Sequence, residues 1–392
     1  MRTLPLDYPV RNLGRRPVQT LLTGFACALV AGVLVSTVAF VTGLKDSFTD
    51  LGRSDTTILL STSALRDLLR SAISPAVADL VSADVDGVLQ VHGIPAVSAE
   101  IHMGTNVRLS GTSAPGTETP AHAAFVRGVT DRAFLVHEAV TIVEGHLPGP
   151  GEVLVGRLVA AKLGVDPALL RNGSKLWFEG AEFEVAGTFA APGTTTESEI
   201  WAPLRELMGH AKREDISAVF VRMEDPDATE DVGVFAQRRL DLELIAIPSQ
   251  TYYGELASYF GPMRSLAWAM ALMIALTVVF TGANTLNTSV QDRINELATL
   301  RALGFPSSAL IGTLLAEALL LAAAGGLAGV VLASLLVTGI TFRIAMGAFT
   351  LNVGGAAVLT GFLGVLLLGL FGTIPAGTRV LRLPIAQALK ED

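Results

Sequence analysis

Cysteine occurs once in the 392 residues, at Cys27, so no intramolecular disulfide can form. The Gly24-Phe25-Ala26-Cys27 context lacks the aliphatic residue that a lipoprotein signal needs, leaving Cys27 as a small packing residue. Charged side chains make up only 16% of the chain and aromatic ones 6%. With 51% hydrophobic residues and a mean hydropathy of +0.53, that scarcity of charge excludes an ordinary soluble globular chain. No basic stripe interleaved with aromatics is present, which excludes a nucleic-acid surface. The sequence has no Gly-x4-Gly-Lys-Ser/Thr to cradle a phosphate, no Gly-x-Ser-x-Gly and no His-Glu-x-x-His, so the chain is expected to be neither an ATPase nor a hydrolase. The 6 histidines stand at no metal-ligand spacing, and the carboxylates of 224–231 lack the order of a calcium loop. No metal or other cofactor is expected on this chain.

What the chain has in abundance is apolar runs, at 18–43, 266–286, 309–340 and 353–374. Each exceeds or matches the roughly 20 residues that span hydrocarbon. The first is too long for a cleaved signal, whose apolar core is only about 7–15 residues. Arg11, Arg15 and Arg16 precede the first run, Arg293 and Arg301 follow the second, and Arg379, Arg382 and Lys390 follow the fourth. Basic residues favour the cytoplasmic side, so four spans with both termini inside satisfy every cluster at once. Glu317 is the only charged residue within any run; close to the cytoplasmic end of the third, it is read as a structural intramembrane acid rather than a proton relay. Gly325 and Gly326 in the same run permit close helix approach or a bend.

Residues 44–262 hold 17 Lys/Arg against 30 Asp/Glu, a balance of −13, whereas the remainder holds 11 against 6, or +5. An acidic middle within a basic, apolar remainder indicates a water-exposed domain inserted between the first and second spans. Short alternating segments such as 97–103, 125–129 and 182–189, interspersed with helices such as 75–85 and 228–240, make it an α+β domain. Residues 251–265 are expected to form a helix that runs straight on into the second span.

Between the second and third runs lies Gln-Asp-Arg-Ile-Asn-Glu-Leu-Ala-Thr-Leu-Arg-Ala-Leu-Gly, residues 291–304. At about 100° per residue, Val290, Ile294, Leu297 and Leu300 share one side of a helix, and Asp292, Asn295, Glu296 and Thr299 the other. Gly304 suits the left-handed position after a helix end, and Pro306 follows. A solvated hairpin loop would satisfy the topology equally well, but the order Asp-Arg-x-x-Glu-Leu-Ala-x-Leu-Arg-Ala-Leu-Gly resembles the signature after the second membrane helix of MacB/FtsX-type ABC transporter permeases. Further resemblances are the Leu-Val-Gly…Ala-x-x-Leu-Gly pattern in the acidic domain and the Pro-Ile-Ala-Gln-Ala-Leu ending at 384–389, which resembles the family's Pro-x-x-Ala-Leu with one residue more.

The resemblance implies a membrane protein of four transmembrane helices with a large α+β extracytoplasmic domain between helices 1 and 2. The expected layout is an N-terminal amphipathic segment at 1–17, span 1 at 18–43, and the core domain at 44–262 with an inserted lobe at 152–209. Span 2 with its stalk follows at 263–289, a coupling helix at 290–308, span 3 at 309–341, a short outer loop at 342–352, span 4 at 353–376 and a cytoplasmic tail at 377–392. The family's coupling helix docks on a cytoplasmic ABC ATPase, and by this resemblance Asp292, Arg293, Glu296, Leu297, Arg301 and Gly304 form the contact. ATP and Mg would then be bound on a separate ATPase chain, with this chain a non-catalytic subunit of the bacterial inner membrane. Two copies, or one copy and a paralogous permease, would assemble. The bulky domain favours efflux with a periplasmic adaptor and outer-membrane channel, or extraction of lipoprotein or membrane lipid; an FtsX-like regulator of a cell-wall hydrolase is the alternative.

Overall fold

The computed structural model of the chain describes residues 11, 13–15, 17–110, 120–291, 294–344 and 347–381. They form two compact units. The first comprises the described residues up to Thr42, Pro262–Ile340 and those from Leu351 onward; the second is Gly43–Gly261 with Thr341–Thr350.

The first unit is built on four helices long and apolar enough to cross a membrane. They are Pro17–Thr49, Gly261–Gln291, Ser307–Val337 and Gly355–Leu381. In hydrocarbon every backbone N–H and C=O must be satisfied within the segment, which leaves a helix as the solution for such runs. The few hydroxyls obey the same demand by bonding back along their own helix: Ser36 to the Gly32 carbonyl (2.7 Å), Thr42 to Val38 (2.8 Å), Thr360 to Ala356 (2.7 Å). The first, third and fourth helices share a core of Val30, Ala31, Val35, Ala322, Val330 and Val365. The second helix is the least covered of the four and leaves Leu266, Leu272, Met273 and Phe280 exposed.

The helix before the second span does not run straight into it, as the sequence had led us to expect. Ser249–Ser258 ends, and Gly261–Gln291 begins after a turn at Tyr259 and Phe260. Pro262 explains the break. It has no N–H to give to the Ser258 carbonyl, and its ring crowds that carbonyl, so the chain must restart with Pro in a first turn. The turn residues tighten instead, with the Tyr259 and Phe260 N–H groups donating three residues back to Leu256 and Ala257 (3.3 and 3.2 Å).

In the second unit the strands are β1 Thr56–Ser61, β2 Gln90–Val91, β3 Ile94–Pro95, β4 Val97–Leu109, β5 His122–Val129, β6 Thr141–Gly145, β7 Glu152–Gly156, β8 Lys175–Phe178, β9 Ala181–Ala190, β10 Glu199–Pro203, β11 Ala218–Arg222, β12 Leu244–Pro248, β13 Thr341–Ile344 and β14 Gly347–Thr350. The main sheet has the order β12-β1-β11-β4-β5-β10-β7-β9-β6, with β8 bridging β4 and β9. Strand β4 is the shared spine. Its first half pairs with β11 (Val97 opposite Val221, Glu100 opposite Ala218), and its second with β5 and β8. The 152–209 stretch supplies β7–β10 to that second half, which also contains β5 and β6.

Helices Val77–Asp84, Leu204–His210 and Thr229–Arg238 pack against a core that includes Leu59, Val126, Ile200 and the stacked pair Phe178 and Phe183, whose ring centroids are 4.3 Å apart. Where the chain enters and leaves this domain, its two ends touch. Ser249 Oγ donates to the Leu51 carbonyl (3.4 Å), Gly52 lies too close to Gln250 to carry a side chain, and Phe48 stacks on Phe260 at 5.1 Å. Adjacent ends are what an inserted domain requires. Residues 342–352, expected as a short loop, contain the hairpin β13–β14, whose Phe342 and Phe349 are opposite each other and stacked at 6.1 Å.

Candidate functional site

The segment between the second and third spans contains a helix, Ile294–Ala302. Leu297 and Ala298 are buried, and Leu297 joins Val290, Leu310, Leu314, Ala376 and Val380 in a small core, with Leu300 and Ile311 against it. The apolar side is therefore consumed by the helix's own membrane unit. The other side presents Asn295, Glu296, Thr299 and Leu303, all exposed. Leu303 was not among the contact residues read from sequence, although its position four residues beyond Thr299 places it on the same stripe. Glu296 in the first turn and Arg301 in the last complement the helix dipole.

Gly304 ends the helix at φ +91°. The Gly304 N–H donates to the Arg301 carbonyl (3.1 Å) and the Phe305 N–H to Leu300 (3.2 Å), the paired bonds of a Schellman cap. No neighbouring atom lies within 4 Å of where a Gly304 side chain would start, so glycine is required there by conformation and not by space. Asp292 and Arg293 lie outside the described residues, as does the side chain of Ile294.

Within the spans, Glu317 is buried, as is Thr313 one turn before it. Gly325 faces the first span: a Cβ there would collide with the Gly24 carbonyl oxygen and stand 2.8 Å from Cys27 Cβ. One turn on, Gly329 is as tight against the Ala28 backbone. Gly326 points elsewhere, toward Phe362 and Val365 of the fourth span, with ordinary clearances of 3.5 and 3.6 Å. The helix runs unbroken through both glycines, so of the two uses open to the pair, approach is the one present. A cleft of about 470 Å³ in the same unit is lined by Gln19, Thr23, Val278, Thr281, Asn284 and Leu321, among others.

In the α+β unit, sequence reasoning missed a buried ionic cluster. Arg127 on β5 lies opposite His102 of β4 on one side and Trp201 of β10 on the other. Its Nε and Nη2 are 2.7 and 2.8 Å from the two Glu199 oxygens, and its Nη1 donates to Glu100 Oε2 at 3.1 Å. His137 Nε2 lies 2.7 Å from the other Glu100 oxygen and His102 Nε2 3.1 Å from Oε2, while the Trp201 indole N–H donates to Glu199 at 3.0 Å. Burial opposes the Glu100 carboxylate, but His137 and Arg127 beside it hold it well below the usual carboxylate range. Burial, aided by the Arg127 charge, pushes His102 down. Burial likewise opposes the Arg127 charge, yet Glu199 and Glu100 leave it more firmly protonated than usual.

Two Glu-x-His/Trp alternations, 100–102 and 199–201, were the available signal, since residues two apart in a strand share a face. Glu100, His102, Arg127, Glu199 and Trp201 are all buried. Among the described residues no group of three or more His, Cys, Asp or Glu is arranged to hold a metal ion.

These features have a family context. Residues 20–233 match the family described as MacB-like periplasmic core domain, and residues 268–385 the family described as FtsX-like permease C-terminal. The chain belongs to the MacB/FtsX-type permeases. Relatives include the Macrolide export ATP-binding/permease protein MacB of Shewanella sp. (strain ANA-3), 27% identical over 195 residues, and that of Shewanella oneidensis, 26% identical over 211. The alignments cover 48% and 52% of this chain, but only 29% and 32% of those proteins. Two solved domains are similar in structure. The periplasmic region of MacB from Actinobacillus actinomycetemcomitans has a TM-score of 0.37 at 12% identity, covering 52% of this chain and 92% of that one. The extracellular domain of the noncanonic ABC-type transporter YknZ from Gram-positive bacteria has 0.36 at 16%, covering 49% and 99%. The MacB/FtsX-type permease thus comprises four candidate transmembrane helices with an extracytoplasmic α+β domain between the first and second.

Proposed function

We propose that this permease is the membrane subunit of an ABC transporter whose ATPase resides on a separate chain, and that helix Ile294–Ala302 is the coupling helix on which that ATPase docks. The observation that carries this reading is the division of the helix surface. Leu297 and Ala298 are fixed on the membrane unit, while Asn295, Glu296, Thr299 and Leu303 face outward in one stripe. ATP-driven closure of two ATPase subunits, each binding ATP and Mg, would displace two such helices in a dimer of permeases and move the extracytoplasmic domains, driving export through an adaptor and outer channel or extraction of a lipid-anchored substrate. The named relatives are export proteins, which favours export over force transmission to a hydrolase.

The test is Glu296→Lys. Glu and Lys have nearly equal helix propensity, so expression and insertion should be unchanged. Losing one partner of a half-buried charge contact costs about 2–5 kcal/mol, and each 1.4 kcal/mol is about a decade in affinity. Co-purification of the ATPase should therefore fall at least about tenfold. Wild-type recovery of ATPase and ATP turnover with Glu296→Lys would remove the charge contact from the proposal. The accompanying topology, with this helix cytoplasmic, requires that a Ser307→Cys variant in spheroplasts stay unlabelled by an impermeant thiol reagent that labels Ser113→Cys.

A further inference from the structure

The cleft in the membrane unit is bounded by the first and second long helices, Pro17–Thr49 and Gly261–Gln291, and walled by residues of the third and fourth. Gln19, Ala26 and Val30 line it from the first helix, Val278 and Asn284 from the second. Consecutive spans run in opposite directions, so Gln19 and Asn284 share one end of the cleft, Val30 and Val278 the other.

The two ends differ. Beyond Val30 and Val278 the helices close, where Val35 and Val38 of the first and Ile274 of the second join one packed core with Val330 and Ala357. At the other end stand two carboxamides. The lining hydroxyls of Thr281 and Thr288 bond back along their own helix to the Thr277 and Asn284 carbonyls (2.9 and 3.0 Å). The Gln19 and Asn284 side chains have no hydrogen-bond partner among the described residues. Arg15, exposed, precedes Gln19 by one turn.

From Gln19 to Val30 a helix rises about 16 Å at about 1.5 Å per residue, half of the roughly 30 Å of hydrocarbon. The cleft is thus a blind slot one leaflet deep, of about 470 Å³, apolar inside with unpaired amides and a cation at its mouth. Water does not fill an apolar slot, since it needs polar partners. A helix of a second copy is about 10–12 Å across and crosses both leaflets, so it needs a groove open at both ends. An acyl chain with its headgroup ends within one leaflet, and its polarity changes along its length in the same order as the slot's.

We propose that the cleft binds a phospholipid of the leaflet in which the first helix begins. One acyl chain lies along Ala26 to Val30, the ester carbonyls accept from the Gln19 and Asn284 carboxamides, and the phosphate pairs with the Arg15 guanidinium. The bound lipid fills the space between the first two spans and is part of their packing. The site is a property of the membrane unit alone and does not rest on the ATPase reading.

The test uses the full chain in nanodiscs of phosphatidylcholine with a minor fraction of phosphatidylglycerol carrying a mid-chain diazirine, with adducts mapped by peptide mass spectrometry after irradiation. Occupancy gives adducts at Ala26, Cys27 and Val278 of the cleft, besides those on the outward-facing Phe25 and Phe280. Gly282 also lines the cleft, and no atom lies within 4 Å of where its side chain would start, so Gly282→Leu plugs the slot without collision. Cleft adducts should fall at least about tenfold relative to those on Phe280, since lost contact for about two methylene groups amounts to that in affinity. Gly312→Leu, as free of neighbours but outside the cleft, should leave them unchanged. Adducts confined to Phe25, Phe280 and other outward residues of the wild type would overturn the site, a result that needs no variant to fold. Cleft adducts that survive Gly282→Leu, or fall as far in Gly312→Leu, would overturn it too. A Cys27–Cys27 cross-link between copies in place of lipid adducts would assign the cleft to a second copy instead.

Discussion

Two adjacent glycines in the third span should respond oppositely to the same methyl group. Gly325→Ala places Cβ into the Gly24 carbonyl oxygen and 2.8 Å from Cys27 Cβ; most of what it meets is backbone of the first helix and cannot rotate away. Relief requires the two helices to separate, and overpacking of this kind costs about 1–3 kcal/mol. Gly326→Ala meets Phe362 and Val365 at 3.5–3.7 Å, ordinary contact, so it adds dispersion without strain. Each substitution also gains up to about 1 kcal/mol of helix propensity, which cancels in the comparison. The difference between the variants is then about 1–3 kcal/mol, or roughly 5- to 150-fold in the equilibrium for helix association. Unfolding of the purified chain by SDS in mixed micelles, followed by far-UV circular dichroism, measures it directly. Equal midpoints for the two variants would refute the assignment of Gly325 to the helix contact, as would a Gly326→Ala variant that is the weaker of the two.

Three further outcomes follow from named contacts. Gly304→Val forces a β-branched residue into φ +91° in open space, so the Ile294–Ala302 helix should fray at its end and ATPase recovery should fall, whereas Gly304→Asn, which tolerates that conformation, should largely restore it. Arg127→Met keeps the volume but leaves Glu100 and Glu199 without their shared cation; the α+β domain should lose about 3–5 kcal/mol in denaturant unfolding, and a loss below about 1 kcal/mol would mean that the cluster is not held by charge. Acidification should destabilise the same domain. Burial holds the folded-state pKa of His102 below its unfolded value near 6.5, so as pH falls through that value the unfolded chain binds more protons than the folded one and stability falls by at most about 1.4 kcal/mol per pH unit, with Glu100 adding to the loss below about pH 4.5. Thermal unfolding from pH 8 to 5 should show a falling Tm, flattened in His102→Gln; a Tm that rises toward pH 5 would contradict the downward shift of the buried imidazole.

The spans were legible because hydrocarbon leaves the chain one backbone solution, and a run such as 309–340 announces it by length alone. The Schellman cap was legible for a similar reason: few residues but glycine accept φ +91°, and Gly304 stands before Phe305-Pro306. The joint at Tyr259 was equally present in the sequence as Gly261-Pro262, but apolar periodicity across it masked the missing donor. The ionic cluster was much harder to see. Glu100, Arg127 and Glu199 are brought together by β4, β5 and β10, with His137 supplied from just past the helical turn Ala133–Val136, and no local pattern reports which strands become neighbours. The hairpin β13–β14 failed for want of length, since each arm is only 4 residues and four alternating positions are not separable from a loop.

The unbroken first helix and the jointed second one differ in what they can transmit. Pro17–Thr49 is one helix of 33 residues, and at about 1.5 Å per residue it extends about 50 Å with every interior carbonyl engaged four residues on. The chain at Tyr259–Phe260 keeps only the three-residue bonds of a tightened turn and lacks the donor of Pro262. Left alone, that joint would bend before it passed on a displacement. It is not left alone: Phe260 stacks on Phe48, and Ser249 at the head of the jointed helix is bonded to Leu51 just past the end of the first. In the proposed function the stiff helix thereby splints the weak one at its break, and Phe260 is the residue through which the splint acts.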